Sequence, residues 1–435
     1  MPLGIDGFVY RDLHDPVRLR DLHDRFSTEV STADPGLWVD WAAYAAAPDA
    51  VPPTSVSDLI VRMSPHVSRF IARLFDVRDA AAAIERATHD LDPLFRFKAD
   101  FVRKRALPLV KGGARVAVSP EDEEIVRALA APFVHEGADH ELAIARAGCA
   151  LLDREAEVRG SGTDVEKARF TAEIDALRRW CASCLHSPGY RSWVVFRFPE
   201  TLDYFNLVHV QRPRAELPQV MTGPDDTLRR RDGFALTDRR ADTRGILSEV
   251  HYCVLCHERD KDSCSKGLRD KAGAVVTNPL GIPIPGCPLD EKISEMHMLR
   301  RAGDALAALA IIVVDNPMVP GTGHRICNDC MKACIYQKQE PVNIPQAETG
   351  VLTDVLRMPW GVEIYGLLTR WNPLNVRRPY ALPYNGRNVL VVGLGPAGYT
   401  LAHFLLNEGF GVVAIDGLKI EPLPDALVGR EGRAA

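Results

Sequence analysis

The residues able to do chemistry crowd into one stretch of the chain. Cys253 and Cys256 form a C-x-x-C pair and Cys264 follows. Cys287 sits in Gly286-Cys287-Pro288, and Cys327, Cys330 and Cys334 form C-x-x-C-x-x-x-C. Seven of the ten cysteines lie here. In a chain without a secretory signature, such a run points to metal or redox chemistry before structural disulfides. A tetrahedral zinc takes four ligands and would leave three thiolates without a role; thiolate-rich sites suit zinc or iron-sulfur clusters. Two metal centres with eight ligands, one of them not cysteine, account for the set best, with structural zinc and unligated thiols as the plainer alternatives. Pro285, Gly286 and Pro288 would let the backbone wrap close to a cluster and turn N–H groups toward its sulfides. His251, His257, His297 and His324 are candidate zinc ligands in the same stretch, although His257, next to Cys256, reads as a ligand's neighbour or a surface group. Lys261, Lys266, Arg269, Lys271, Arg325 and Lys332 flank the thiols. They would offset a cluster's negative charge, or simply form a solvated basic face.

A second constellation lies further on. The apolar strand Asn388 to Val392 runs into Gly393-Leu394-Gly395-Pro396-Ala397-Gly398, an apolar helix follows through Leu405, and a second strand, Gly411 to Ile415, ends in Asp416. Gly393 permits the tight turn, Gly395 admits a pyrophosphate and Gly398 allows close helix packing. Pro396 and Ala397 open the helix, whose N-terminus supplies N–H donors and positive dipole. Asp416, about 20 residues past the glycines, can accept from a ribose hydroxyl. Strand, turn, helix, strand and acid in this order predict a dinucleotide site rather than a bare glycine turn.

The elements that must position these groups are mostly helices. The fold class expected is mainly α: a helical N-terminal region, a helical two-cluster domain, then the first βαβ of a Rossmann-like α/β domain. Val56 to Leu74, Arg78 to Leu91 and Asp164 to Leu185 carry apolar residues at helical spacing. Ser119-Pro120-Glu121-Asp122 reads as a helix start. Trp193 to Val210 is rich enough in aromatic and β-branched residues to suggest a strand. Ile293 to Val314 reads as one long amphipathic helix closed by Asn316-Pro317. Cys181 and Cys184 continue the apolar stripe of Ile174 and Leu177, which favours core over redox chemistry. Expected boundaries are 1–245 for the helical region, 246–360 for the cysteine domain, 361–387 for an extended, proline-rich connector and 388–435 for an incomplete nucleotide-binding segment.

Composition bounds the rest. At 435 residues with 46% hydrophobic and 26% charged residues, the chain is long enough for two to four ordinary domains. A net charge of -5 argues against a broadly basic nucleic-acid binder. The longest purely apolar run, Ala305 to Val314, falls short of a bilayer span. The N-terminus has no basic region followed by an apolar one, so the expected location is the cytoplasm.

The cysteine stretch and the segment after it resemble a known family. Gly286-Cys287-Pro288-Leu289, Asn316-Pro317-Met318-Val319-Pro320, Gly323-His324-Arg325-Ile326-Cys327 and Met331-Lys332-Ala333-Cys334 are similar to the N-terminal iron-sulfur domain of the glutamate synthase small subunit and of dihydropyrimidine dehydrogenase. The resemblance covers roughly 250–416, well under half of the chain. It implies two 4Fe-4S clusters just ahead of an FAD domain. Carried over, Cys253, Cys256, Cys264 and Cys334 would hold one cluster; Cys287, Cys327 and Cys330 would hold the other with Glu348, although Gln346 is close by. The family's first cysteines lie closer together, so inserted residues leave Cys264 the least secure of these. The GPAG form of the turn points to FAD. The implied function is an iron-sulfur flavoprotein oxidoreductase, complete or in part, passing electrons between NAD(P)H, FAD and the clusters. A downstream domain or partner subunit would complete the flavin site and accept electrons. No catalytic acid or base can be named. The alternatives are a non-catalytic electron-transfer or assembly subunit, and a zinc-stabilised interaction module.

Overall fold

The computed structural model describes residues 2–223, 240–259, 261–323 and 326–417. These are mainly α-helical, with one two-stranded parallel sheet. Two compact units divide the chain: Asp49–Tyr365, and Met1–Pro48 together with Gly366–Ala435.

In the larger unit, local sequence sets the helix limits. The Asp122 N–H donates to Ser119 Oγ at 3.1 Å and the Ser119 N–H donates back to Asp122, which closes a capping box at the start of Pro120–Ala130. Arg179 of the Asp164–Cys184 helix donates to the same carboxylate at 2.9 Å and ties the two helices together. Beneath them Phe97, Phe101, Phe170, Leu177, Cys181 and Cys184 share a buried core. Burial pushes the Cys184 thiol up to about 12 and Cys181 well above its usual value, so both are inert core groups.

Three expectations change. The stretch 193–210 forms no strand among the described residues, because Trp193 and Phe196 turn to stack on each other and pack with Trp180 and Tyr190; only an isolated bridge, Thr201 to Gln339, remains. The segment 293–314 is two helices, Ile293–Arg301 and Ala305–Asp315. Gly303 breaks it at φ +84°, where a Cβ would stand 2.8 Å from the Glu85 backbone, and Asp304 then caps the second helix through the Ala307 N–H. That second helix is not amphipathic. It is apolar all round and packs against Pro53–Leu74, Ile293–Arg301 and Ile344–Leu356. Finally, the expected connector opens with a helix, Gly361–Leu368.

The smaller unit carries strand β1 (Asn388–Val392), the helix Pro396–Asn407 and strand β2 (Gly411–Ile415), with β1 and β2 parallel from Asn388↔Gly411 to Val392↔Ile415. Trp371 is fully buried in this unit, edge-on to Phe26. Asn407 Nδ2 donates to the Thr369 carbonyl at 2.9 Å, and Arg378 pairs with Glu408. No helix among the described residues is long and apolar enough to cross a membrane.

Candidate metal centres and nucleotide-binding turn

Four of the seven thiols meet at one cavity. Cys253, Cys256, Cys264 and Cys334 line it together with Ile293, Tyr336, Val342, Ile344 and His297. Each thiol arrives on a different local device. Cys253 ends the Thr243–Tyr252 helix, and Leu255 at φ +51° bends the chain back so that Cys256 faces the same space. Leu255 N–H points at Cys253 Sγ, 3.4 Å away. Cys264 sits in the single turn Ser263–Lys266, and Cys334 caps the short helix Asp329–Ala333.

Cys330 shares a buried cluster with Cys264 and Cys334, and Cys253 and Cys287 pack against it. The groups acting electrostatically on Cys330 are Glu291, Cys287, Glu348 and Cys327. Burial raises the Cys287 thiol, while the Glu291 and Leu289 backbone N–H groups act to lower it. Cys327 is exposed. Glu348, only 6% exposed, is no surface glutamate: Asn316 Nδ2 donates to it at 2.7 Å, and Thr322 Oγ1 fixes Asn316 Oδ1 at 2.6 Å. The neighbouring Gln346 instead accepts from the Ala241 N–H through Oε1. The two groupings touch through the backbone, where the Cys287 N–H donates to the Cys264 carbonyl at 2.8 Å.

Burial sets the electrostatics of these thiols, as it does for Cys181 and Cys184. Burial pushes Cys253 up to about 12 and Cys287 to about 11, and raises Cys256, Cys264, Cys330 and Cys334 as well. Such thiols stay neutral until a metal supplies the positive charge that water no longer does. Glu348 is raised to about 7 by desolvation. Its partner Glu291 is raised further, by desolvation and then by the Glu348 charge, so the pair holds a proton between them. Among the described residues, no three His, Cys, Asp or Glu side chains converge tightly enough to hold a single ion. A lone zinc needs every thiolate about 2.3 Å from one point. The four thiols line one cavity without closing on a single point.

The histidines separate cleanly. His251 stacks on Phe95 at 4.1 Å, and burial pushes it down to about 3. His257 Nδ1 lies 2.6 Å from Ser294 Oγ. His297 lines the cavity. His324 and Arg325 fall outside the described residues. Of the flanking cations, Lys266 pairs with Asp290 and Lys332 with Asp329, both at 2.7 Å on the surface, and Arg269 donates to the Gly273 carbonyl. They form a solvated face. Sequence reasoning missed Glu291, whose only signal was its position four residues after Cys287, gave no place to Tyr336, and read Asn316 only as part of a helix stop and a family-like segment.

At the nucleotide-type turn, Gly393 adopts φ +95°. A Cβ on Gly398 would lie 1.8 Å from the Gly393 carbonyl oxygen, so the turn closes only around glycine. A Cβ on Gly395 would meet nothing within 4 Å, leaving open the approach to the N-terminus of the helix that Pro396 and Ala397 begin. The Asp416 carboxylate accepts from the Leu394 N–H and braces the turn. These residues fit the pyrophosphate and ribose of a dinucleotide.

What the chain comprises, then, is a mainly helical protein with a thiol-ringed cavity and a nucleotide-type βαβ. A family model described as the RP005 N-terminal alpha-helical domain matches residues 3–76. Uncharacterized protein RP006 of Rickettsia prowazekii (strain Madrid E) is 61% identical over 106 residues, covering 24% of this chain and 15% of that protein. Uncharacterized protein RP005 of the same organism is 27% identical over 305 residues, 66% of this chain and 94% of that protein. The glutamate synthase [NADPH] small chain of Mycobacterium tuberculosis (strain ATCC 25618 / H37Rv) is 30% identical over 139 residues, 31% of this chain and 25% of that protein. The chain thus spans only a small part of RP006 and of the small chain. Its similarity to an oxidoreductase subunit is distant and partial. No solved structure matches.

Proposed function

We propose that this chain is the electron-carrying portion of an iron-sulfur flavoprotein oxidoreductase. The observation that carries this reading is the single cavity ringed by Cys253, Cys256, Cys264 and Cys334. Cys287, Cys327 and Glu348, which all act electrostatically on the buried Cys330, would form a second centre with it. Bound there, two 4Fe-4S clusters would supply one-electron storage. The protein's own residues would hold and insulate them: thiols as ligands, Asn316 orienting Glu348, and Ile293, Val342 and Ile344 excluding water. The Cys287 to Cys264 backbone hydrogen bond would give the two sites a short bonded connection.

The turn at Gly393, Gly395 and Gly398 would take the pyrophosphate of FAD, with Asp416 near the ribose and NAD(P)H as the source of hydride. The two-stranded sheet favours an arrangement in which further chain, downstream or from a partner subunit, completes that site. Leu390 and Val392 of β1 and Val413 and Ile415 of β2 are exposed, whereas parallel sheets are ordinarily covered on both faces. The same observation favours, as a second reading, an electron-transfer subunit that binds flavin only with its partner.

Purification without oxygen tests the reading. A brown protein with about eight irons per chain is expected; a colourless protein with stoichiometric zinc would refute it and favour the interaction module. Where the flavin site is completed, Gly395→Val should abolish FAD binding by filling the open approach, with iron unchanged. FAD retained by that variant would refute the site.

A further inference from the structure

We infer that His297 donates an imidazole N–H hydrogen bond to the thiolate or sulfide shell of the guest held by Cys253, Cys256, Cys264 and Cys334, and so raises its reduction potential. The inference rests on the cluster reading and deepens it.

The side chain is fully buried, at 0% exposure, and neither ring nitrogen has a hydrogen-bond partner among the described residues. An imidazole always carries at least one N–H donor, and leaving a buried donor unmade costs about 1–3 kcal/mol. Native interiors tolerate so few of these that each calls for a reason. Here the surroundings give one. On the Ile293–Arg301 helix, Ile293 and His297 are four residues apart and share a face, and both line the thiol cavity. The ring whose nitrogens lack a partner therefore belongs to the lining of the cavity that the four thiols share.

A ligand role for the ring is superfluous. Four thiols already surround the cavity, one for each iron of a four-iron cluster. What remains is donation. One-electron reduction adds a negative charge that spreads over sulfides and thiolates, and an N–H aimed at sulfur stabilises the reduced state more than the oxidised one. The neighbouring imidazole of His257 is committed elsewhere, to Ser294. His297 thus tunes the centre without ligating it.

The test uses the full chain, loaded anaerobically with ferrous iron and sulfide and titrated with dithionite while EPR follows each cluster. His297→Leu removes the donor; His297→Gln keeps an N–H on a chain of similar reach. In His297→Leu, iron should stay at the wild-type level while one cluster's midpoint moves to more negative potential and the other's stays put. His297→Gln should recover much of that shift. If His297→Leu alone loses the cluster and His297→Gln holds it near the wild-type potential, the need for a donor stands. An unchanged potential in a fully loaded His297→Leu protein overturns the inference. So does loss of that cluster's iron in both variants, which would make His297 a ligand. A wild-type chain that takes up no cluster fails the functional reading itself, and that failure is visible without any variant.

Discussion

Gly286→Ala should cost more than the loss of a flexible residue. Gly286 adopts φ +92°, and a Cβ placed there would stand 2.4 Å from the Gly267 nitrogen and 2.6 Å from the Ser265 carbonyl oxygen. Both obstacles are backbone and cannot swing aside. The left-handed conformation costs an alanine about 1–2 kcal/mol, and overpacking against fixed atoms about 1–3 kcal/mol more, giving a total of about 2–5 kcal/mol. Gly281 supplies the control, since it has φ +76° but nothing within 4 Å of its Cβ, so Gly281→Ala should show only the conformational part. The assay is the urea midpoint of each metal-free protein at constant m, followed by iron content after reconstitution. In Gly286→Ala the loops bearing Cys264 and Cys287 must separate, the 2.8 Å hydrogen bond between them breaks, and iron uptake should fall. If Gly286→Ala matches Gly281→Ala in stability and loads iron fully, the two loops are not clasped as described and the reasoning fails.

Cys287→Ala should remove about half of the iron, because the ring of Cys253, Cys256, Cys264 and Cys334 does not include it; an unchanged iron content would show that Cys287 is no ligand. In the metal-free chain, iodoacetamide should modify exposed Cys327 well before buried Cys264 or Cys181. Peptide mass spectrometry over time reads the order, and equal rates would contradict the buried placement. Asp122→Asn should lower stability at pH 7 by about 1 kcal/mol, a figure discounted for water around the half-exposed Arg179. Arg179 holds the Asp122 carboxyl down at about 2. Its contribution is therefore complete above the ordinary carboxylate value and drains away as pH falls toward 2. Urea midpoints of the two proteins should converge between pH 4 and pH 2, and a gap that persists there would mean the ion pair is not its source.

The cysteine spacing and the glycine turn were readable because each encodes a local device. A C-x-x-C pair needs only one bend to put two thiols on the same space, and Leu255 at positive φ supplies it. Gly393, Gly395 and Gly398 likewise state their backbone requirements in their own chemistry. The capping box at Ser119 and Asp122 was legible for the same reason. What failed was whatever depended on distant neighbours. The break at Gly303 is imposed by the Glu85 backbone, far away in sequence. An apolar run such as Ala305 to Val314 cannot announce whether one side or all sides will be covered. The aromatic stretch from Trp193 satisfied a strand's composition, but its rings found better partners in Trp180 and Tyr190. Glu291 was invisible because a glutamate after Asp290 looks like ordinary surface charge until Glu348 is placed against it.

The same long-range packing explains why the cavity and its guest belong together energetically. An apolar wall of Ile293, Val342 and Ile344 holds water away from four thiols and so raises the cost of ionising every one of them. With no metal present the thiols lie neutral, and no three acids, thiols or histidines close on a lone ion among the described residues. Loading by the proposed clusters would therefore deprotonate the thiols, and the release of protons would be part of the binding reaction. That coupling gives assembly a direction. On the proposed reading, iron and sulfide would bring the charge that makes thiolates tolerable, the thiolates would fix the turns at Leu255 and Ser263–Lys266, and the imidazole of His297 would gain the partner its burial denies it.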